Sequence, residues 1–148
     1  MSAGRLEGRL ALVTGGSRGL GAAIAMRFAR EGADVAFNYL RAEKDAETAL
    51  AVLRESGRKA WAFKADVADK SAVQKMVKDL EKDAGRPVEI LVNNAGHGQV
   101  VPVALMEEED WDRMMDTHVK GAFLATQACL RGMVRQKYGR VVNVSSLA

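Results

Sequence analysis

The 148-residue sequence has a single cysteine, Cys129, so no disulfide can form within it. Because disulfides persist mainly in oxidising compartments, this scarcity fits a reducing one, and we expect a cytoplasmic protein. No stretch approaches the about 18 apolar residues of a membrane-spanning helix. The opening residues, MSAGRLEG, also lack the long apolar run of a signal peptide. The sequence therefore predicts no membrane partner.

The sequence also lacks a strong net charge. It contains 22 lysines and arginines and 19 aspartates and glutamates, which gives a net charge of +3. That small excess argues against nucleic acid as the main partner. The sequence indicates no metal site. The hydrophobic share of 48% argues against a disordered chain. The length fits one domain, so we treat residues 1–148 as a single domain.

What the sequence does contain is an alternation of short apolar runs and amphipathic segments. The runs predict strands over residues 10–14, 34–38, 59–64, 89–93 and 140–145. Helices are predicted over 20–31, 43–56 and 107–137, the last bent near Gly121, with a further helix capped by Ser71. Alternating strands and helices are typical of an α/β fold with a doubly wound parallel sheet (Rossmann), and the strand order 3-2-1-4-5 follows from right-handed crossovers.

The most informative segment is residues 14–21, TGGSRGLG, which lies between the first strand and the first helix. Glycines in such a turn allow a tight bend, close approach of the backbone to a pyrophosphate, and close packing of helix and sheet. The N–H groups at the helix start then face the anion. A glycine triplet alone also fits a plain turn, but its flanking strand and helix favour a dinucleotide site, so we predict that residues 1–148 form a single dinucleotide-binding domain. Its candidate cofactor-binding residues are Gly15, Ser17, Arg18, Gly19, Leu20 and Gly21.

Three further motifs follow in register: Asp66-Val67 after the third strand, Asn93-Asn94-Ala95-Gly96 after the fourth, and residues 142–146, VNVSS, at the fifth. Together with the glycine turn they resemble the short-chain dehydrogenase/reductase family over essentially the whole chain. The sequence looks most like the 3-oxoacyl-carrier-protein reductases and their close kin. The resemblance implies hydride transfer between a nicotinamide cofactor and a small carbonyl or acyl-thioester substrate, and a homo-oligomer.

The resemblance also assigns roles to these residues. It implies an adenine contact for Asp66 and Val67, and cofactor contacts for Asn93, Asn94, Ala95 and Gly96. Asp66 also suits a loop or cap, and the asparagines also suit a turn. Ser146, preferred over Ser145, is implied as the catalytic serine that hydrogen-bonds the substrate carbonyl.

The choice of nicotinamide cofactor depends on charge at the end of the second strand. There the chain reads Asn38-Tyr39-Leu40-Arg41, and Tyr39 stands where NAD-specific family members carry aspartate. Arginine forks such as those of Arg18 and Arg41 suit a ribose 2′-phosphate. We predict NADP rather than NAD, with Asn38 and Arg41 at the site; an ordinary surface arginine is the alternative for Arg41.

The chain departs from the family pattern in two respects. The family's Tyr-x-x-x-Lys pair is absent, because Glu43 follows Tyr39 and Val142 follows Tyr138 at that spacing. The family's C-terminal helix with that pair, its later strands and its substrate loop are missing from these 148 residues. Two readings stay open: the nucleotide-binding part of a reductase, inactive by itself, or a non-catalytic dinucleotide-binding or interaction module.

The second departure is a histidine, His118, where the family usually has an asparagine that takes part in a proton relay. Histidine both donates and accepts hydrogen bonds, so a catalytic role is one prediction and a space-filling role is the other. His97 either borders the nicotinamide or faces solvent from its loop.

Overall fold

The computed structural model describes residues 4–146. Five strands alternate with five α-helices, and two short helical turns lie in the last crossover. Their bounds are β1 Leu10–Val13, α1 Gly19–Arg30, β2 Asp34–Tyr39, α2 Glu43–Glu55, β3 Ala60–Lys64, α3 Lys70–Ala84, β4 Ile90–Asn93, a 3-10 turn Val103–Leu105, α4 Glu108–Met115, a π turn Asp116–Lys120, α5 Gly121–Arg135 and β5 Arg140–Asn143.

All neighbouring strands are parallel, and they lie side by side in the order β3-β2-β1-β4-β5. The predicted fold class and strand order are confirmed. The order reverses at β1, where Ala11 is paired with Val35 of β2 on one side and Ile90 of β4 on the other. In open α/β sheets such a reversal opens a crevice at the carboxyl ends of the strands, which is where ligands bind.

The core has two layers because successive strand side chains point to opposite faces of the sheet. Leu10 and Leu12 of β1 pack with residues of α3 and α5, whereas Ala11 and Val13 pack with residues of α1 and α2. Cys129 of α5 lies in the first layer, and burial raises the pKa of its thiol to about 12. A protonated, buried thiol is chemically inert.

The start of α3 corrects the prediction that Ser71 caps this helix. Asp69 is the N-cap, and its carboxylate accepts hydrogen bonds from the backbone N–H groups of Ser71 and Ala72. These bonds, that of Ala72 first, lower the pKa of Asp69. Both residue types favour this position, but only Asp69 has the extended backbone that places a side chain over the first turn.

The long helix predicted over residues 107–137 is divided. Helix α4 ends at Met115, the chain runs through the π turn, and α5 begins at Gly121. A Cβ on Gly121 would lie 2.7 Å from Cγ2 of Val67, so the glycine allows the helix to pack closely against the loop after β3. Between residues 4 and 146, no helix combines the length and apolar content that crossing a bilayer requires.

Candidate cofactor site

The glycine turn after β1 is shaped by close backbone approaches. Gly15 has φ +65° and Gly19 has φ +56°, a region that side chains disfavour. A Cβ on Gly21 would lie 2.2 Å from the carbonyl oxygen of Gly15 and 2.6 Å from Nδ2 of Asn94. No side chain caps α1, so its N-terminal N–H groups are left for a ligand anion. The turn therefore has the form that a pyrophosphate requires.

Buried Asn38, at the end of β2, joins the loops on either side of it. Its Oδ1 accepts a hydrogen bond from the backbone N–H of Gly15 at 2.9 Å, and its Nδ2 donates to the carbonyl oxygen of Ala65 at 2.8 Å. The amide therefore uses one acceptor and one donor within the protein. Its evident role is to hold the turns after β1 and β3 in place.

A second set of bonds joins the turn after β1 to the loop after β4. The buried hydroxyl oxygen of Thr14 accepts from the backbone N–H of Asn94 at 3.0 Å and of Ala95 at 2.9 Å. In return, Nδ2 of Asn94 donates to the carbonyl oxygens of Thr14 and Gly15, at 3.0 and 3.2 Å. The end of β2 and the loops after β1, β3 and β4 thus form one hydrogen-bonded frame.

This frame borders a groove of about 1040 Å³ at the carboxyl ends of the strands. The structure brings most of the predicted cofactor residues together in its lining. They are Gly15, Ser17, Arg18, Gly19, Leu20, Gly21, Asn38, Arg41, Asp66, Val67, Asn94, Ala95 and Gly96. His97 and Tyr39 also line the groove. Asp66 additionally closes a turn, since its Oδ1 accepts from the N–H of Ala68 at 2.9 Å.

Several lining residues were not predicted from the sequence: Leu40, Ala42, Asp45, Ala65, Arg113 and Thr117. The first four adjoin predicted residues or lie one helical turn beyond them. Arg113 and Thr117 belong to α4 and the π turn, more than 15 residues from any of the motifs before them. Their spacing of four, which places both on one side of a helix, was the only signal in the sequence.

The groove has a small excess of positive charge, because three arginines (Arg18, Arg41 and Arg113) and two aspartates (Asp45 and Asp66) line it. Glu43 lies two residues after Arg41 but pairs with Lys64, with Oε1 and Nζ 2.5 Å apart. The hydrogen bond from Lys64 lowers the pKa of Glu43. In residues 4–146 neither Arg18 nor Arg41 has a side-chain hydrogen bond or ion pair, so both guanidinium groups are available to an anion.

Three predicted site residues do not line the groove. Asn93 is buried, and its Nδ2 donates to Oδ1 of Asn143 at 2.8 Å and to the hydroxyl of Thr126 at 3.1 Å. It therefore ties β4 to β5 and α5. Ser146 is exposed and follows the end of β5, at the same edge of the sheet as the groove. The third is His118.

His118, on the π turn, contacts the loop after β4. Its Nε2 lies 2.8 Å from the carbonyl oxygen and 3.2 Å from the backbone nitrogen of His97. A Cβ on Gly96 would lie 2.5 Å from Cε1 of the His118 ring, so the ring packs directly on that glycine. The shorter contact indicates that Nε2 donates to the carbonyl. His118 thus acts on the groove by holding two of its lining residues.

We expect His118→Ala to loosen the loop after β4. The amides of residues 94–98 should exchange with deuterium about fivefold faster, since the hydrogen bond from Nε2 of His118 to the carbonyl oxygen of His97 contributes about 1 kcal/mol to holding this loop. Hydrogen-exchange mass spectrometry of the peptide over residues 94–98 would measure this. Asp112→Ala, at an exposed position of α4, is the control. Unchanged exchange in His118→Ala would contradict a holding role.

A parallel 3-2-1-4-5 sheet with an uncapped helix behind a glycine turn defines the class of doubly wound dinucleotide-binding proteins. The family model described as short chain dehydrogenase matches residues 9–148. The chain belongs to the short-chain dehydrogenase/reductase family, whose members are oxidoreductases.

Named relatives agree with this assignment. The 3-oxoacyl-[acyl-carrier-protein] reductase FabG of Staphylococcus aureus is 39% identical over 137 residues, which are 93% of this chain and 55% of that protein. A hydroxy(phenyl)methylsuccinyl-CoA dehydrogenase subunit, BbsD of Thauera aromatica, is 40% identical over 97% of this chain and 57% of its own length. The chain thus spans about half the length of the curated relatives it matches.

Solved structures show the same fold. A short chain dehydrogenase from Burkholderia cenocepacia in complex with NADP has a TM-score of 0.88 and 39% identity over 97% of this chain and 57% of that one. NAD+-bound xylitol dehydrogenase has a TM-score of 0.91 and 36% identity over 97% and 55%. Structural relatives therefore include proteins bound to either cofactor.

Proposed function

We propose that this chain is the cofactor-binding part of an NADP-dependent oxidoreductase that transfers hydride between NADPH and a carbonyl substrate. A 3-oxoacyl thioester is the candidate substrate, because the relatives include 3-oxoacyl-carrier-protein reductases. The observation that carries the proposal is the pair of unengaged arginines, Arg18 and Arg41, in a groove whose β2 end has Tyr39 instead of a carboxylate. The reducing, cytoplasmic location expected from the sequence fits this activity.

The residues present fit a dinucleotide. Gly15 and Gly21 allow the turn to pack tightly on itself and on the loop after β4, and the space beside Gly19 is open. The start of α1 is uncapped, and the groove continues past the ends of β2 and β3. The bound nicotinamide supplies or accepts the hydride. This chain's residues would bind and orient it: the glycine turn at the pyrophosphate, Arg18 and Arg41 at a ribose 2′-phosphate, and the loop after β4 beyond them.

Ser146 is proposed to hydrogen-bond the substrate carbonyl. Ser146 follows β5, which pairs in parallel with β4, so it lies at the same edge of the sheet as the loop after β4 and the groove. A hydroxyl donor near a reacting carbonyl stabilises the negative charge that develops on its oxygen. His118 is proposed to support this side of the site through the loop that it holds.

A non-catalytic dinucleotide-binding module is the second candidate. It is favoured by the absence of Tyr-x-x-x-Lys from these 148 residues, because general acid catalysis is typically worth about 10²–10⁴-fold. For the isolated chain we expect NADPH binding without turnover of ketones or acetoacetyl thioesters. Titration with both cofactors and assays of NADPH oxidation test this. Equal affinity for NADPH and NADH would contradict the NADP assignment, and turnover near an ordinary enzyme rate of about 10 s⁻¹ would contradict inactivity.

We also propose that the chain forms a homo-oligomer through α4 and α5. An apolar row with a spacing of four residues is exposed along this crossover: Trp111, Met115, Val119 and Phe123. Leu130 and Val134 of α5 are exposed as well. Acidic residues occupy the first turn of α4 and Arg135 the last turn of α5. Two copies packed antiparallel would bury the apolar row and set acidic ends against basic ends.

Phe123→Glu is expected to shift this equilibrium toward monomer, because it places a carboxylate within the apolar row. Light scattering after size exclusion, over a range of concentrations, would measure the change. Gln74→Glu, at an exposed position of α3, makes the same charge change elsewhere. A wild-type chain that stays monomeric at high concentration would contradict the proposal.

A further inference from the structure

Arg113 lines the groove, although it belongs to none of the sequence motifs that predicted the site. It lies in one row with Thr117 and Gly121, each four residues after the last. Gly121 packs against Val67, because a Cβ on Gly121 would lie 2.7 Å from Cγ2 of Val67. The row is thereby fixed against the loop after β3, and Arg113 is its member farthest along the helix from that contact.

In doubly wound folds the pyrophosphate lies at the start of α1 and the ribose of the adenosine lies at the end of β2. The adenine ring therefore extends away from α1, past β2 toward the loop after β3, where Asp66 and Val67 lie. Arg113 lines the groove in the same helical row as Gly121, which packs against Val67 of that loop.

The Arg113 guanidinium is held at one edge. Its Nη2 lies 2.5 Å from Oδ1 of Asp110, whose side chain is 20% exposed, whereas the Arg113 side chain is 63% exposed. Among the described residues this is its only side-chain hydrogen bond or ion pair. The carboxylate offsets much of the positive charge but leaves the guanidinium plane free. Such a group suits stacking on a planar ring better than it suits neutralising a phosphate.

We propose that Arg113 binds the adenine ring of the cofactor by stacking its guanidinium, oriented by Asp110, on the face of the base. The inference rests on the proposed function, since it requires an adenine dinucleotide in the groove. It adds an adenine-binding residue from the β4–β5 crossover to the site. Contact with a phosphate, or with an anionic group of the substrate, is the outcome that would speak against it.

The test compares the wild-type chain with Arg113→Ala and Arg113→Lys, using calorimetric titration with NADPH, adenosine diphosphate and reduced nicotinamide mononucleotide. A stacking contact at a partly exposed site predicts about fivefold weaker binding of NADPH and adenosine diphosphate by Arg113→Ala. Arg113→Lys keeps the charge but loses the plane, so it should resemble the alanine variant. Binding of the mononucleotide should not change. Arg131→Ala, an exposed arginine of α5 outside the groove, is the control.

Each outcome decides the matter. Adenosine diphosphate binding by Arg113→Ala at wild-type affinity overturns the proposal. Full recovery by Arg113→Lys also overturns it, because charge alone would then explain the contact. If the wild-type chain binds neither NADPH nor adenosine diphosphate, the proposed function fails and this inference fails with it. If the wild type binds both and Arg113→Ala changes neither, only the inference fails.

Discussion

Gly21→Val should lose NADPH binding while the chain remains folded. A Cβ at this position would lie 2.2 Å from the carbonyl oxygen of Gly15 and 2.6 Å from Nδ2 of Asn94. Both atoms belong to the frame around the groove, so the turn must open to admit the side chain. Overpacking of this kind costs up to about 3 kcal/mol, which corresponds to a roughly hundredfold rise in the Kd for NADPH if the cost falls on the binding conformation.

Gly98→Val is the matched control, because a Cβ at Gly98 would meet no atom within 4 Å. Circular dichroism and thermal unfolding would verify that both variants fold, and fluorescence titration would give their affinities. Gly19→Val belongs in the same series, since its side chain meets no atom within 4 Å but its φ of +56° would be strained. Wild-type affinity in a folded Gly21→Val chain would show that the turn does not bind the pyrophosphate.

The second large effect is expected from removing Arg18 and Arg41 together. Hydrogen bonds to charged groups contribute about 1.5–3 kcal/mol each, so the double alanine variant should bind NADPH about 10²–10⁴-fold more weakly. NADH lacks the 2′-phosphate, and its affinity should change by much less. Titration of the variant with both cofactors would give this ratio directly. Raising the salt concentration should weaken NADPH binding more in the wild type than in the variant.

Arg30→Ala supplies the control for this pair. Arg30 is an exposed arginine in the last turn of α1, at the opposite end of the helix that begins behind Arg18. The Arg30→Ala substitution removes the same kind of side chain at a position outside the groove. If the double variant lost NADPH and NADH affinity equally, the arginines would act on the pyrophosphate or the fold. The assignment of a 2′-phosphate site to them would then be wrong.

The sequence was sufficient for the sheet because apolar runs and amphipathic helices are local patterns. It did less well where neighbouring residues of one type have different surroundings. Asn93 and Asn94 were predicted together as cofactor contacts, yet Asn93 is buried toward α5 and β5, whereas Asn94 joins the frame around the groove. Side chains alternate along a strand, so its last residue and the next one point in opposite directions. Applying that alternation would have separated the two.

Other features were not predictable because they depend on packing between distant segments. The π turn at residues 116–120 arises where the crossover helix meets the loop after β3, and nothing local marks it beyond Gly121. It also places Thr117 in the groove and His118 against His97. Asp69 and Ser71 are both good caps, and the backbone path out of β3 decided between them.

The hydrogen bonds of Thr14, Asn38 and Asn94 run entirely between parts of the protein. A groove braced in this way keeps its shape before any nucleotide arrives, so little binding energy is spent on ordering loops. The side chains that we propose to distinguish one cofactor from the other, those of Arg18 and Arg41, take no part in these hydrogen bonds. If these arginines bind the 2′-phosphate as proposed, substituting them should alter cofactor selectivity without disturbing the shape of the groove.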